Sequence, residues 1–231
     1  MVDADQTRQL SFPISMSSLR YRYQTIEFDD TDIHLKTLRD RQEFSDDEGV
    51  AAKLGISSAT WPLFGVIWPS GEALARLMFS YEIQGKRILE VGCGVGLASL
   101  VLNHRSADIT ATDHHPAVEA LLSGNTVLNE DRKIPFVRTD WSDPITELGE
   151  FDLIIGSDVL YESGHAEQLA GFIDNHARLQ CDVIIVDPGR RHKGRFRNQM
   201  EQRGYSSLEN PSSVQDKLAE RFSVHIMSYH K

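Results

Sequence analysis

Five short apolar runs, at residues 87–91, 108–112, 134–138, 151–156 and 181–187, alternate with helix-like stretches near 95–104, 115–129, 164–178 and 191–203. No other feature constrains the fold as strongly. Runs such as FDLIIG and CDVIIVD are apolar almost throughout, as strands covered on both faces must be. Strands of this kind alternating with helices predict a doubly wound, mainly parallel α/β sheet. A chain of 231 residues, 40% of them hydrophobic, suits one such domain with some additional structure.

Three segments fall outside that rhythm. RYRYQTIEF, DDTD and IHLKTL read as two strands joined by an acidic turn, a β-hairpin within an N-terminal extension over residues 1–60. Residues 1–18 of that extension are polar and expected to fray, and 40–60 read as loop with one short helix. Residues 61–231 make the main domain. In WPSGEALARLMFSY, Ser70 is expected to cap a helix whose inner face carries Leu74, Leu77, Met78 and Tyr81. At the end of the chain, GYSSLEN and RFSVHIMSYH read as strands with no full helix between them, so a C-terminal antiparallel hairpin is expected to close the sheet.

The stretch ILEVGCGVGLASLVL, Ile88 to Leu102, is a strand, a glycine turn and the start of a helix. In open α/β sheets ligands bind at such turns, at the carboxyl ends of the strands. The turn Gly92-Cys93-Gly94-Val95-Gly96 is one residue shorter than the G-x-G-x-x-G of dinucleotide sites and lacks the Gly-Lys-Ser/Thr ending of a phosphate loop. Asp113 ends the next strand, 21 residues after Gly92, where a carboxylate can accept from both ribose hydroxyls. A nucleoside with a small, phosphate-free tail fits, and S-adenosylmethionine is such a molecule. Backbone groups of the turn would take its amino-acid tail, with Glu90 positioning the region and Cys93 a small packing residue.

Other residues fall near the same crevice. In VRTDWSD, Asp140 either accepts from the adenine amino group or is a turn residue, and Trp141 either packs on the ring or is core. In GSDVLYE, Asp158 and Tyr161 are three apart and lie on one side of a helical turn if one forms there. Trp68 either covers the cofactor or staples the start of its helix. After VDPG come five arginines and lysines within eight residues, read first as a solvated helix face and second as a docking patch.

Composition removes several classes. The net charge of −10 disfavours broad binding to nucleic acid or anionic membrane. Cys93 and Cys181 make neither a disulfide framework nor zinc-ligand spacing, and the nine histidines form no metal motif. The start MVDADQTRQL has no apolar signal region, and no apolar run is long enough to span a bilayer, so a soluble, cytoplasmic protein is expected.

Taken together, ILEVGCGVG, ATD, TDW and GSDVLY resemble the seven-strand class of S-adenosylmethionine-dependent methyltransferases. IWPSGEALA with DVLY resembles, more narrowly, methyltransferase family 16, which contains many protein-lysine methyltransferases. VDPGR resembles a branch with bacterial relatives described as nicotinamide methylase-like. The resemblance covers roughly residues 60–190. It implies a Rossmann-like seven-stranded sheet, with cofactor contacts from Trp68, Gly92, Gly94, Asp113, Trp141 and Ser157, and Asp158 and Tyr161 facing the methyl acceptor. Read from the residues, Glu90, Cys93, Gly96 and Asp140 complete the candidate cofactor set. The leading expectation is N-methylation of a protein lysine, with S-adenosylhomocysteine as product. A small-molecule N-methyltransferase, a non-catalytic cofactor-binding module and, more distantly, a nicotinamide oxidoreductase are the alternatives. A closed pocket over Asp158 built from residues 40–65 would favour a small acceptor, and an open groove a protein.

Overall fold

The structure, a computed structural model, describes residues 19–40, 43–46, 49–58, 60–143, 146–162, 164–208 and 212–231. The stretch 1–18, expected to fray, lies outside the described residues. Strands β1 (Tyr21–Phe28) and β2 (Thr31–Leu38) pair antiparallel from Tyr21↔Leu38 to Phe28↔Thr31 around the Asp29-Asp30 turn. There follow α1 (Val50–Lys53), a 3-10 turn (Leu63–Gly65) and α2 (Pro69–Ser80). Then come β3 (Arg87–Val91), α3 (Leu97–His104), β4 (Asp108–Asp113), α4 (Val118–Leu128), β5 (Phe136–Arg138) and β6 (Phe151–Ser157). The chain ends with α5 (His165–His176), β7 (Ala177–Asp187), α6 (Lys193–Gln202), β8 (Ser206–Ser207), α7 (Ser213–Phe222) and β9 (His225–His230).

The main sheet has seven strands in the order β5-β4-β3-β6-β7-β9-β8. The first five are parallel, β9 runs antiparallel to β7, and β8 antiparallel to β9. The chain leaves β3 toward β4 on one side and later returns to its other side through β6. The crevice between the carboxyl ends of β3 and β6 is thus the switch point where a ligand can enter. Both faces of the sheet are covered. Ile88, Ile109, Leu153 and Ile155 pack with α2, α3, α4 and the hairpin, whereas Leu89, Ile154, Val183 and Ile185 pack with α5 and α6. Each of these fully buried side chains stabilises the fold by about 1.5–3 kcal/mol.

The hairpin shares the first of these cores through Phe28, Ile33, Leu35 and Leu38. Its free edge is met by amides from α4. Lys36 N donates to Asn125 Oδ1 (2.7 Å), His34 N donates to Asn129 Oδ1 (2.8 Å), and Asn129 Nδ2 donates to His34 O (2.7 Å). Asn125 Nδ2 also donates to Val95 O in the glycine turn (3.1 Å), so one buried amide joins the hairpin to that turn. Asn125→Ala leaves a donor and an acceptor unpaired and is expected to cost about 2–4 kcal/mol. Urea unfolding checks this, and a loss below about 0.5 kcal/mol would show that the amide does not hold the two parts together.

Four expectations are corrected. Ser70 is not the cap of α2: Trp68 is the N-cap and Pro69 the first helical residue, where its missing N–H costs nothing. The final strands are antiparallel as expected, but α7, a full helix, lies between β8 and β9. Leu218 of α7 is buried and Phe222 packs against the core, so the helix carries an apolar stripe at helical spacing. Its second mark is a capping box, Ser212 Oγ accepting from Gln215 N while Gln215 Oε1 accepts from Ser212 N. The helix read over 164–178 ends at His176, and β7 begins at once with Ala177. Asp158 and Tyr161 lie on no helical turn, since residues 158–161 are irregular.

Candidate active site

The glycine turn leaves β3 with Gly92, Gly94 and Gly96 all at positive φ. A Cβ on Gly94 would stand 3.0 Å from the Phe64 carbonyl oxygen, and one on Gly92 would stand 2.8 Å from Val159 Cγ1. Backbone here is approached too closely for a side chain. Glu90, on β3, reaches past the turn to the start of α3. Its Oε2 accepts from Ser99 N (2.9 Å) and from the Ser99 hydroxyl. The amino end of the helix, where a phosphate would sit in a dinucleotide or nucleotide site, thus already holds a carboxylate of the chain itself.

Burial pushes Glu90 up to about 7, against the two hydrogen bonds from Ser99. Folding therefore favours the protonated acid. The stability this confers is complete below the unfolded value of about 4.5 and is lost as pH rises through about 7. From pH 5 to pH 8 the loss is roughly 2.5 kcal/mol. Glu90→Gln keeps an oxygen for Ser99 and does not ionise. It is expected to gain several degrees over the wild type at pH 8 and little at pH 5. Melting curves at both pH values check this, and parallel shifts at the two would refute it.

Asp113, at the end of β4, accepts from Gly94 N (3.0 Å) and from His115 N (2.8 Å). Burial raises its pKa against these amide hydrogen bonds. Its carboxylate thus fixes the shape of the turn while facing the cavity. His115 stacks on Phe64 with ring centroids 4.0 Å apart, and burial pushes it down to about 3, so it is neutral. Its neighbour His114 reaches Leu54 O through Nε2 (3.1 Å) and Asp140 Oδ2 through Nδ1 (3.4 Å). Leu54 and Phe64 are thereby held beside Asp113, and both line the cavity.

The cavity measures about 330 Å³, within the span of small-molecule sites. Of the candidate cofactor residues, Trp68, Glu90, Gly92, Cys93, Gly94, Asp113, Asp140, Trp141 and Ser157 all line it. Gly96 does not. It is the N-cap of α3, and a Cβ there would lie 2.3 Å from Leu122 Cδ1, so helix packing accounts for that glycine. Trp68 is a wall residue whose indole N–H is tied to Leu63 O (3.0 Å). Asp140 holds the local turn, accepting from Ser142 N (2.7 Å), and its carboxylate also faces the cavity. The Cys93 thiol is held protonated by burial, as suits a packing residue.

Asp158 and Tyr161 also line the cavity, although no helical turn joins them, and Asp113 is among the charges that act on the Tyr161 hydroxyl. Asp158 adopts a left-handed backbone (φ 55°), a conformation that aspartate and asparagine accept more readily than most residues. Arg190 is the residue that the sequence did not mark. Asp187 ends β7 and accepts from Gly189 N (2.7 Å) and Arg190 N (2.6 Å), which turns the chain back toward β6. Arg190 Nε then donates to Asp158 Oδ1 (2.6 Å), and its guanidinium lies 6.0 Å from the Tyr161 ring. That hydrogen bond raises the Arg190 pKa. The first of the five basic residues thus belongs to the cavity, whereas Arg191, Arg195 and Arg197 are exposed, as a solvated face would be. Glu162, His165 and Gln168 belong to the same lining. Among the described residues, no group of three His, Cys, Asp or Glu is placed to hold a metal ion.

The chain belongs to the lysine methyltransferase family, whose model matches residues 57–203. It is 29% identical over 133 residues to the electron transfer flavoprotein beta subunit lysine methyltransferase of Mus musculus, covering 56% of this chain and 51% of that one. It is 29% identical over 169 residues to protein N-lysine methyltransferase METTL21A of Danio rerio, covering 69% of this chain and 74% of the relative. The chain spans about half the length of the first of these curated relatives. Its fold is similar to that of a 16S rRNA N2 G1207 methyltransferase of T. thermophilus solved with AdoMet and guanosine. The TM-score is 0.56 at 15% identity, over 93% of this chain and 51% of that one.

Proposed function

We propose that the protein transfers a methyl group from S-adenosylmethionine to the side-chain nitrogen of a lysine in a protein, leaving S-adenosylhomocysteine. The observation that carries this reading is one cavity in which the glycine turn, Asp113 and the Asp158–Tyr161 wall meet.

The donor set fits this cofactor and disfavours a diphosphate. Glu90 and Asp113 flank the turn, and Glu90 already occupies the amino end of α3. These acidic side chains disfavour a pyrophosphate, and the Asp113 carboxylate attracts the ammonium and sulfonium of S-adenosylmethionine. Asp113 would hold the ribose hydroxyls, the backbone of Gly92 and Gly94 the amino-acid tail, and Asp140 and Trp141 the adenine. Ser157 and Trp68 would wall the methyl end. Bound there, the cofactor supplies a methyl carbon made electrophilic by the positive sulfur.

The rest is done by this chain. Asp158 and Arg190 form a fixed ion pair beside the entering amine, and Tyr161 shapes its approach. Orientation of two reactants in contact is worth about 7–11 kcal/mol of barrier. Passage of the lysine into a partly dry channel lowers its pKa and favours the neutral amine.

A protein acceptor is favoured over a small molecule by the exposure of the lining next to Asp158. Tyr161 is 41% exposed and the Glu162 side chain 57% exposed, so a side chain presented on a protein surface can reach in. Incubation of the purified protein with methyl-labelled S-adenosylmethionine and a cell lysate tests the proposal. Label in protein bands, traced to methyl-lysine by mass spectrometry, is expected. Label confined to small metabolites would contradict it.

A further inference from the structure

His165 opens α5 inside the cavity lining. Its ring meets Trp141 edge-on with centroids 5.1 Å apart and Tyr161 edge-on at 4.6 Å. It therefore sits between the wall assigned to the adenine and the wall assigned to the acceptor. Its Nδ1 lies 3.1 Å from Val159 O. A carbonyl only accepts, so Nδ1 carries the proton and Nε2 keeps its lone pair. That free nitrogen lies 3.5 Å from Glu162 Oε2, and the side chain of His165 is 15% exposed while that of Glu162 is 57% exposed. A tautomer fixed by a backbone carbonyl, a basic nitrogen beside the acceptor wall and a carboxylate leading to solvent form a path for a proton.

We propose that His165 Nε2 accepts the proton that the lysine ammonium must lose before it can attack, and that Glu162 steadies the imidazolium. The inference rests on the methyl-transfer reading above. One N–H bond of the ammonium breaks and an Nε2–H bond forms. The positive charge moves from the lysine nitrogen to the imidazole, and the amine keeps the electron pair that attacks the methyl carbon. The proton then leaves to water along the exposed Glu162 carboxylate.

The charged and titratable groups facing His165 are Glu162 and Tyr161 from the loop after β6, Asp140 from the loop after β5, and His192 at the start of α6. Burial lowers the His165 pKa, and Glu162 and Asp140 oppose that shift. The ring is thus neutral and able to accept at neutral pH.

The test is the pH profile of methyl transfer to whichever protein band the wild type labels. His165→Asn keeps an N–H near the Nδ1 position for Val159 O and removes Nε2. The wild type is expected to be level from the His165 pKa up to that of the amine. His165→Asn is expected to be about 10²-fold slower at pH 7 and to rise about tenfold per pH unit, since solvent must then take the proton. Its affinity for S-adenosylmethionine by calorimetry should stay within about threefold of wild type. Glu162→Gln should move the acid limb of an otherwise active enzyme to lower pH. Nitrogen NMR should find the neutral ring protonated on Nδ1. A variant profile of wild-type shape, whatever its height, or a ring protonated on Nε2, would overturn the role of His165 alone. Absence of transfer by the wild type at every pH, with the donor bound, would overturn the methyl-transfer reading and this inference with it.

Discussion

Asp113→Ala is expected to weaken S-adenosylmethionine binding by at least about a hundredfold while costing only about 2 kcal/mol of stability. The two effects differ because they act through different atoms. In the folded chain the carboxylate holds the amides of Gly94 and His115. Its removal leaves two N–H groups short of a partner, at about 1–3 kcal/mol each if they stay dry. Part of that loss is returned, since burial of this carboxylate is itself unfavourable, as its raised pKa shows. Binding gets no such relief. On the proposed assignment it loses both the acceptor for the ribose hydroxyls and the fixed turn that presents the Gly92 and Gly94 backbone. Asp113→Asn retains the shape of the side chain and should fall between the two. Calorimetry and thermal melts of the three proteins check this. Affinity of Asp113→Ala within about threefold of wild type would reduce Asp113 to a turn residue.

The second large effect belongs to Asp158, in the same cavity. Asp158→Asn is expected to slow methyl transfer by about 10²–10³-fold and to leave donor affinity nearly unchanged. Asparagine is the appropriate replacement because, like aspartate, it accepts the left-handed backbone at this position, so charge is removed with little added strain. Arg190 then loses its counter-ion at 2.6 Å and keeps only the more weakly acting Asp187, so on the proposed reading a less compensated guanidinium faces the entering ammonium. Repulsion of the acceptor and loss of its orienting carboxylate act in the same direction. Single-turnover transfer with donor preloaded separates the effect from binding. Equal losses in donor affinity and in transfer would place Asp158 in the cofactor site instead.

Both predictions start from residues that the sequence displays. The glycine turn, the acid ending the next strand and the Asp158–Tyr161 spacing each follow a run that reads as a buried strand. The strand order β4-β3-β6, which the structure supplies, brings them to one crevice. Other features depend on side-chain directions that no period encodes. Gly96 looks like its two neighbours in the sequence, and only its distance to Leu122 separates a packing glycine from a cavity glycine. Arg190 sits in a basic run whose other arginines are solvated, and its return to Asp158 depends on the Asp187 carboxylate capturing two amides of the intervening turn. His165 is one of nine histidines, and only its contact with the Val159 carbonyl assigns its tautomer. The helix α7 is legible twice over, in its capping box and in the apolar repeat of Val214, Leu218 and Phe222.

Calorimetric titration with S-adenosylmethionine, with NAD as the comparison, probes the chemistry of the glycine turn most directly. Heat with a dissociation constant in the micromolar range for the first, and none for the second, is the predicted result. Silence with S-adenosylmethionine, or saturable binding of NAD in its place, would contradict the assignment of the turn to a phosphate-free nucleoside and the methyl transfer built on it.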